Sequence, residues 1–309
     1  MNSSSSKYQL IYDLISQDDG HFSVTELCKL AHVSRSGYYN WIAQSDFRAH
    51  KEAQDRADFN LILQVFNKRG YKKGAQSIHM ALLHETPSVR MNVKKIRRLM
   101  HKYGLVCPIR KVNPYRELAK ARQESHVAPN VLERQFQAYG PRKVLLTDIT
   151  YIPMSDGFLY LSVVMDAYTK QVLAYEYSDN LKIDFVLRTF QKLLNKHGKE
   201  LSPDTIVHSD QGSHYTSLKF IELLKDASLT QSMSRRGNCW DNAPQESFFG
   251  HMKAEAEFES CKTLQDCKDR ITDWIDYYNN DRYQWRLAKL SPNEYYDYVI
   301  TNNYPIKEN

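Results

Sequence analysis

One segment of the chain has an acidic residue near each end. It opens with His208-Ser209-Asp210-Gln211-Gly212-Ser213 and closes with Asn242-Ala243-Pro244-Gln245-Glu246-Ser247. Thirty-five residues separate Asp210 from Glu246. Asp210 follows a short apolar run and comes two residues before a glycine, a pattern that predicts the end of a strand and a turn. Glu246 is predicted to lie in the first turn of a helix.

A third carboxylate lies upstream, in the predicted buried strand Leu146-Thr147-Asp148-Ile149-Thr150-Tyr151. Two strand-end aspartates and a helix glutamate offer the oxygen ligands that Mg²⁺ takes in sites that serve phosphates. Two such ions about 4 Å apart stabilise the entering and leaving oxygens of an in-line phosphodiester displacement. The strands of Asp148 and Asp210 must be neighbours for this site to form.

Each acid also has a purely structural interpretation. The chain has 36 acidic residues, so a pair at this spacing is expected by chance. Asp148 fits a strand end, Asp210 fits a turn, and Glu246 fits the first turn of a helix, where the dipole favours an acid. Spacing alone therefore leaves both interpretations open.

The surrounding pattern alternates strands with helices. Strands are predicted at 144–151, 158–165, 171–177, 205–208 and 229–233, with helices at 183–197, 218–227 and around Glu246. The residues Ser155-Asp156-Gly157 favour a hairpin turn between the first two strands. This order predicts an α/β fold, a mixed five-stranded sheet with flanking helices. Two further helices are expected, at 263–278 and 293–300.

The N-terminal region is predicted to be all helical. Ser23-Val24-Thr25-Glu26 is a capping box that begins a helix to about residue 31, and a second helix at 35–41 follows a tight turn. This arrangement matches a helix-turn-helix, whose second helix would present Arg35 and Ser36 to DNA. A small helical bundle without DNA-binding activity has the same pattern.

A second helical unit carries most of the positive charge. Helices are predicted at 58–68 and 75–83, and Asn92 caps a third that runs through residue 102. Its surface positions hold five cationic residues suited to phosphates: Lys94, Lys95, Arg97, Arg98 and Lys102. Residues 91–122 carry a net charge of +9, while the whole chain carries +6. A DNA-binding face and an exposed basic helix without a partner both fit this pattern.

Composition restricts the class of protein. Apolar residues make up 42% and charged residues 25% of the 309 residues, which is typical of a globular protein. No run approaches the roughly 20 apolar residues of a bilayer span, and the first residues lack the apolar core of a signal peptide. We therefore expect a cytoplasmic protein without a membrane partner, whose five scattered cysteines stay reduced.

Three segments closely resemble the catalytic core of bacterial insertion-sequence transposases: Asp148-Ile149-Thr150-Tyr151, His208-Ser209-Asp210-Gln211-Gly212-Ser213-His214-Tyr215 and Gly237-Asn238-Cys239-Trp240-Asp241-Asn242-Ala243-Pro244-Gln245-Glu246-Ser247-Phe248-Phe249. The nearest resemblance is to the second-reading-frame product of the insertion-sequence-three family, which is related to retroviral integrases. Further resembling segments are Val33-Ser34-Arg35-Ser36-Gly37-Tyr38-Tyr39-Asn40-Trp41, Lys94-Lys95-Ile96-Arg97-Arg98-Leu99-Met100, Ala128-Pro129-Asn130 and Arg282-Tyr283-Gln284-Trp285. The resemblance covers nearly the full chain.

The resemblance implies a ribonuclease H-like core in which Asp148, Asp210 and Glu246 hold two Mg²⁺ ions, with Mn²⁺ as a substitute. It also implies a phosphate contact from Lys253, two helical turns after Glu246, although a solvated lysine fits that position too. Asn242 matches a family position that suits either a DNA contact or the N-cap of the catalytic helix. In the second case Gln245 would be its capping partner. The usual tryptophan three residues before the first aspartate is Leu145 here, which we expect to alter packing only.

These features predict a transposase that cleaves element ends and joins the 3′-hydroxyl to target DNA. The implied partners are double-stranded DNA, a second copy of the chain, and a first-frame protein joined by frameshifting. A binding or regulatory protein that needs this fused partner, and a nuclease for RNA–DNA hybrids, are the alternatives. The predicted domains are residues 1–45 (helix-turn-helix), 46–107 (second helical unit), 108–138 (basic linker), 139–258 (catalytic core) and 259–309 (helical extension).

Overall fold

The computed structural model describes residues 4–17, 22–71, 73–107, 139–154, 157–234 and 243–306. The chain divides into two compact units, Met1–Leu63 and Gln64–Asn309. This division falls inside the helix Ser45–Asn67, whereas a domain boundary was predicted at residue 45. The predicted linker at 108–138, the hairpin residues Ser155 and Asp156, and Asn242 lie outside the described residues.

The first unit contains α1 (Ser4–Gln17), α2 (Val24–Leu30), α3 (Arg35–Ala43) and the first part of α4 (Ser45–Asn67). Helices α2 and α3 correspond to the two helices of the predicted helix-turn-helix. The capping box is confirmed, because the Ser23 hydroxyl accepts the Glu26 N–H and the Glu26 carboxylate accepts the Ser23 N–H. Ile11, Cys28 and Tyr38 form the buried core of this unit. Arg35 and Ser36 are exposed at the start of α3.

Helix α4 is longer than predicted, because it starts at Ser45 and not at Asp58. Its apolar stripe occupies only the second half, where Ile62 and Val65 are buried. The first half is rich in Ala, Glu, Gln, Lys and Arg, which form helices through intrinsic propensity and leave no apolar periodicity. A prediction based on apolar spacing therefore missed it.

The second unit begins with a helical pair, α5 (Ala75–Leu83) and α6 (Val93–Lys102). Asn92 caps α6 as predicted, since its side-chain oxygen accepts the Lys95 N–H at 2.7 Å. Gly104 follows α6 with φ +69°, the left-handed conformation that glycine adopts without strain. Ile96, Leu99 and Met100 are buried. Lys94, Arg97, Arg98 and Lys102 are exposed, and Lys95 is half-buried.

The sheet has five strands in the order β3-β2-β1-β4-β5. They are β1 (Val144–Met154), β2 (Gly157–Asp166), β3 (Val172–Ser178), β4 (Ile206–Ser209) and β5 (Thr230–Met233). The first three pair antiparallel, whereas β4 lies parallel to both β1 and β5. This confirms the α/β mixed sheet and makes the strands of Asp148 and Asp210 neighbours.

Helices cover both faces of the sheet. They are α7 (Asp184–His197), α8 (Leu218–Asp226), α9 (Ala243–Glu255), α10 (Leu264–Asn280) and α11 (Pro292–Thr301). One core contains residues of α7 and α8 with Leu145, and the other contains residues of α9 and α10 with Ile152. Full burial of a large side chain such as Trp274 contributes about 1.5–3 kcal/mol. No helix among the described residues has the length and apolar character needed to span a bilayer.

The segment between α4 and α5 packs on the C-terminal helices. Tyr71 stacks on Tyr277 of α10, with ring centroids 4.3 Å apart. Arg69 forms ion pairs with Asp276 at 2.9 Å and with Asp281 at 2.7 Å. Residues from the predicted second helical unit and the predicted C-terminal extension thus share one compact body.

The burial of Lys73 should make the free energy of unfolding depend on pH. Its buried ammonium group donates to the backbone carbonyls of Phe66, Lys68 and Tyr71, and burial lowers its pKa to about 8 from 10.5. Between those two values the unfolded chain binds a proton that the folded chain does not, so the free energy of unfolding rises with pH. We expect Lys73→Met to remove a rise of up to about 3 kcal/mol between pH 8 and 10.5.

Urea unfolding of both proteins from pH 6 to pH 10.5 measures this difference. Below pH 7 the two stability curves should run parallel, which serves as the internal control. Parallel curves above pH 8 would contradict the assigned pKa of Lys73.

Candidate active site beside two parallel strands

Asp148 lies in the middle of β1 and is half-buried. Its Oδ1 accepts the N–H of Ile149 at 2.7 Å. In the antiparallel pairing of β1 with β2, Asp148 lies opposite Val163. Because side chains alternate along a strand, Asp148 shares a face with Ile152, which belongs to the core of α9 and α10. The carboxylate therefore lies on the side of the sheet that α9 covers.

Asp210 is the first residue after β4 and is also half-buried. Its Oδ1 accepts the N–H of Gly212 at 2.9 Å, an Asx-type turn of the kind predicted for this position. The Gln211 side chain donates to the carbonyl of Ser234 at 3.0 Å, which ties this turn to the end of β5. Backbone bonds thus orient the second carboxylate.

Tyr215 is a buried residue on which both aspartates have an electrostatic influence. Tyr215 is almost fully buried, and its hydroxyl lies 3.3 Å from the Thr147 hydroxyl on β1. Burial raises the pKa of Tyr215 well above its usual value, and the negative charges of Asp148 and Asp210 raise it further. Both carboxylates therefore act on one hydroxyl. We did not single out Tyr215 from the sequence, although it lies within a motif that carries the family resemblance.

Glu246 lies in the first turn of α9 and is exposed. The preceding residue, Gln245, is fully buried, and its side-chain amide donates to the carbonyl of Val163 at 3.4 Å. Since Val163 is the cross-strand partner of Asp148, this contact holds the start of α9 beside β1. In the described ranges, however, no three His, Cys, Asp or Glu side chains come together closely enough to hold a metal.

Gln245 was predicted to complete a capping interaction with Asn242. Its side chain is instead buried against the sheet, where its amide donates to the Val163 carbonyl of β2 and so holds the helix there. The capping hypothesis for Asn242 concerns a residue outside the described part of the chain.

Two residues at the far end of α9, Lys253 and Glu255, contact three residues of neighbouring elements. The Lys253 ammonium lies 4.8 Å from the ring centroid of Tyr151, three residues beyond Asp148 on β1. Glu255 accepts two hydrogen bonds from Arg282, with Nη2–Oε1 at 2.8 Å and Nε–Oε2 at 3.0 Å. Trp274 Nε1 also donates to Glu255 Oε2 at 3.3 Å. The sequence suggested no role for this glutamate, because its partners are 19 and 27 residues away.

Gly212 leaves no room for a side chain beside Asp210. A Cβ atom at this position would lie 2.8 Å from Asp210 Oδ1, closer than side-chain carbon atoms approach carboxylates. We expect Gly212→Ala to fold normally, because only the carboxylate has to move. Since Asp210 is a predicted metal ligand, we also expect this change to lower the predicted metal-dependent cleavage about a hundredfold. Thermal unfolding and single-turnover cleavage measure the two effects.

Gly250→Ala is the matched control for this prediction. Gly250 is on the same helix as Glu246, and a Cβ there meets no atom within 4 Å. It should keep activity and gain about 0.5–1 kcal/mol of stability. Equal activity of Gly212→Ala and the unchanged chain would show that the Asp210 turn does not control catalysis.

The donor atoms suit a hard divalent cation. Asp148 and Asp210 offer carboxylate oxygens from adjacent strands, which match the preference of Mg²⁺ for oxygen ligands. Glu246 is on the helix that packs against β1, and its carboxylate would have to turn toward the strands to join them. The two aspartates therefore have the donor chemistry and the strand placement that such a site needs.

Family models match most of the described chain. An integrase core domain model matches residues 138–239, a second integrase core domain model matches 246–299, and an HTH-like domain model matches 53–112. The HTH-like match falls on the second helical unit, not on the helix-turn-helix predicted at 1–45.

The solved structures to which this chain is similar include two from retroviruses. A simian T-cell lymphotropic virus intasome in complex with a PP2A regulatory subunit covers 67% of this chain and 67% of its own, with 13% identity and a TM-score of 0.43. The HTLV-2 integrase catalytic core in complex with magnesium covers 52% of this chain and 99% of its own, with 14% identity and a TM-score of 0.43.

Bacterial relatives are more similar. The putative transposase InsK of insertion element IS150 from Escherichia coli is 32% identical over 89% of this chain and 93% of its own. The IS904 transposase of Lactococcus lactis is 34% identical over 77% of this chain and 92% of its own. The Escherichia coli IS3A transposase InsF is 28% identical over 92% of this chain and 97% of its own. Identity and coverage at this level show that the chain belongs to the insertion-sequence-three family of transposases, with an integrase core domain.

Proposed function

We propose that this transposase cleaves the ends of its element and transfers a 3′-hydroxyl into target DNA by metal-dependent in-line displacement. The observation that carries the proposal is the placement of Asp148 on β1 and of Asp210 directly after β4, two strands that pair in parallel. Asp148, Asp210 and Glu246 are the proposed ligands of two Mg²⁺ ions, for which Mn²⁺ can substitute. When bound, the ions activate the attacking oxygen and take charge from the leaving oxygen.

The chain's own residues prepare the site in separate ways. The turn at Gly212 and the Ile149 amide orient the two aspartates before substrate arrives. The Tyr215 hydroxyl is buried and lies 3.3 Å from the Thr147 hydroxyl, so it fills the space behind β1 without adding a charge. Lys253 is placed over Tyr151, near the end of β1, where it can contact a DNA phosphate.

The remaining proposed DNA contacts lie on exposed helices. Arg35 and Ser36 are at the start of α3, where a recognition helix contacts base edges. Lys94, Lys95, Arg97, Arg98 and Lys102 form the cationic side of α6, which we propose lies along the phosphate backbone. Asn242 is proposed as a further contact. Joining two element ends requires at least two copies of the chain on DNA, which we expect to work at the bacterial nucleoid.

A second candidate function follows from the exposed position of Glu246. If the three carboxylates never converge, the chain binds or regulates element ends and depends on a fused first-frame protein for activity. A plasmid nicking and strand-transfer assay with Mg²⁺, Mn²⁺ or EDTA separates the two candidates. Cutting by the chain alone with either metal supports the first, and DNA binding by the chain alone without any cutting supports the second.

A further inference from the structure

The loop between α10 and α11 holds an exposed tryptophan in a fixed position. Trp285 is 53% exposed and begins a short 3₁₀ helix, Trp285–Leu287. Backbone bonds close the loop, from Gln284 N–H to the Leu290 carbonyl at 2.9 Å and from Lys289 N–H to the Gln284 carbonyl at 3.1 Å. Leu287 and Leu290 are buried beneath it. The loop therefore presents the indole ring with little conformational freedom to lose on binding.

One cationic side chain lies over this ring, and another is its neighbour in the chain. The Lys289 ammonium lies 5.4 Å from the ring centroid, and Arg286 is exposed on the same short helix. Within the described ranges neither side chain is within ion-pair distance of a carboxylate. An exposed aromatic ring with unpaired cations beside it is the combination with which proteins bind the bases and phosphates of single strands.

The loop is also close to the start of the basic helix α6. The His79 ring centroid lies 6.1 Å from that of Trp285, and His79 Nδ1 contacts the Met91 carbonyl at 2.8 Å. Met91 comes two residues before α6, whose exposed side carries Lys94 and Arg97. One histidine therefore separates the tryptophan from the helix that we propose follows DNA phosphates.

We propose that Trp285 stacks on an unpaired base of a DNA strand, while Arg286 and Lys289 contact the adjacent phosphates. The proposal rests on the proposed function, since strand cleavage and joining expose unpaired bases at the element end. It assigns a binding role to the C-terminal segment, separate from the three carboxylates. A protein partner would use an exposed tryptophan too, but the two cations favour a polyanion.

Binding of a fluorescent 12-nucleotide oligothymidine, and of the same strand with abasic sites, tests the proposal. We expect Trp285→Ala to weaken oligothymidine binding about tenfold, and Trp285→Phe to keep most of the affinity. Abasic DNA should bind the unchanged chain and Trp285→Ala equally. Leu218→Ala, which removes another exposed large apolar side chain of the same unit, is the matched control and should bind as the unchanged chain does.

Each outcome decides the proposal. Full affinity of Trp285→Ala for oligothymidine overturns the proposal. The exposed ring would then bind a protein partner or have no binding role. An equal loss on abasic DNA also overturns it, because stacking needs the base. Repeating the titration with Asp210→Asn separates the two proposals. The Trp285 effect should persist there, whether or not the chain cuts DNA. Because Trp285 is exposed, its replacement should leave thermal unfolding nearly unchanged.

Discussion

Replacing Asp210 with asparagine should lower Mg²⁺-dependent cleavage of element-end DNA by about a thousandfold or more while leaving DNA binding intact. An amide cannot supply the negative charge that holds a divalent ion, and loss of the ion removes several kcal/mol of transition-state stabilisation. Asparagine keeps the side-chain oxygen that accepts the Gly212 N–H, so the turn should survive. Single-turnover cleavage and a gel-shift assay on the same DNA measure the two effects.

Asp148→Asn and Glu246→Gln should give losses of similar size, because each removes a proposed ligand. Asp226→Asn is the matched control, since Asp226 is an exposed acid at the end of α8. Cleavage by Glu246→Gln at the rate of the unchanged chain would remove this residue from the site. Equal losses in the Asp226 control would point to a general effect of charge.

The second large effect is expected from Glu255→Ala, which removes the ion pair with Arg282 at the far end of α9. Arg282 and Glu255 are both mostly buried, with side chains 18% and 14% exposed. Loss of one partner leaves the guanidinium without its carboxylate, a change that destabilises proteins by about 3 kcal/mol. For a unit of this size that lowers the melting temperature by roughly 8 °C.

Calorimetry of three proteins tests this expectation. Glu255→Gln keeps oxygen and nitrogen atoms at the same places but loses the charge, so it should fall between the unchanged chain and Glu255→Ala. Glu259→Ala, at an exposed glutamate of the next short helix, should unfold at the original temperature. A melting temperature of Glu255→Ala within a degree of the control would mean that Arg282 does not hold α9.

The sheet could be predicted from the sequence because its signals are local. Each of the five predicted strands matches an observed strand to within a few residues, and the caps at Ser23 and Asn92 are confirmed. The adjacency of β1 and β4 was needed for the site but could not be derived from local patterns. It depends on a crossover connection that places two distant segments side by side.

The parts that were missed depend on contacts between distant residues. Gln245 looked like a capping residue, but its buried contact with Val163 spans 82 residues. Tyr215 and Glu255 act through partners on other elements, which spacing does not reveal. The roles of Asp148, Asp210 and Glu246 remain predictions, supported by the family and by the placement of the two aspartates.

The most direct test of the account is an anomalous difference map from crystals of the chain with Mn²⁺ and cleaved element-end DNA. We predict two peaks about 4 Å apart, with carboxylate oxygens of Asp148, Asp210 and Glu246 at roughly 2–2.5 Å from them. A map in which manganese contacts the aspartates while Glu246 stays in solvent would contradict the three-carboxylate site.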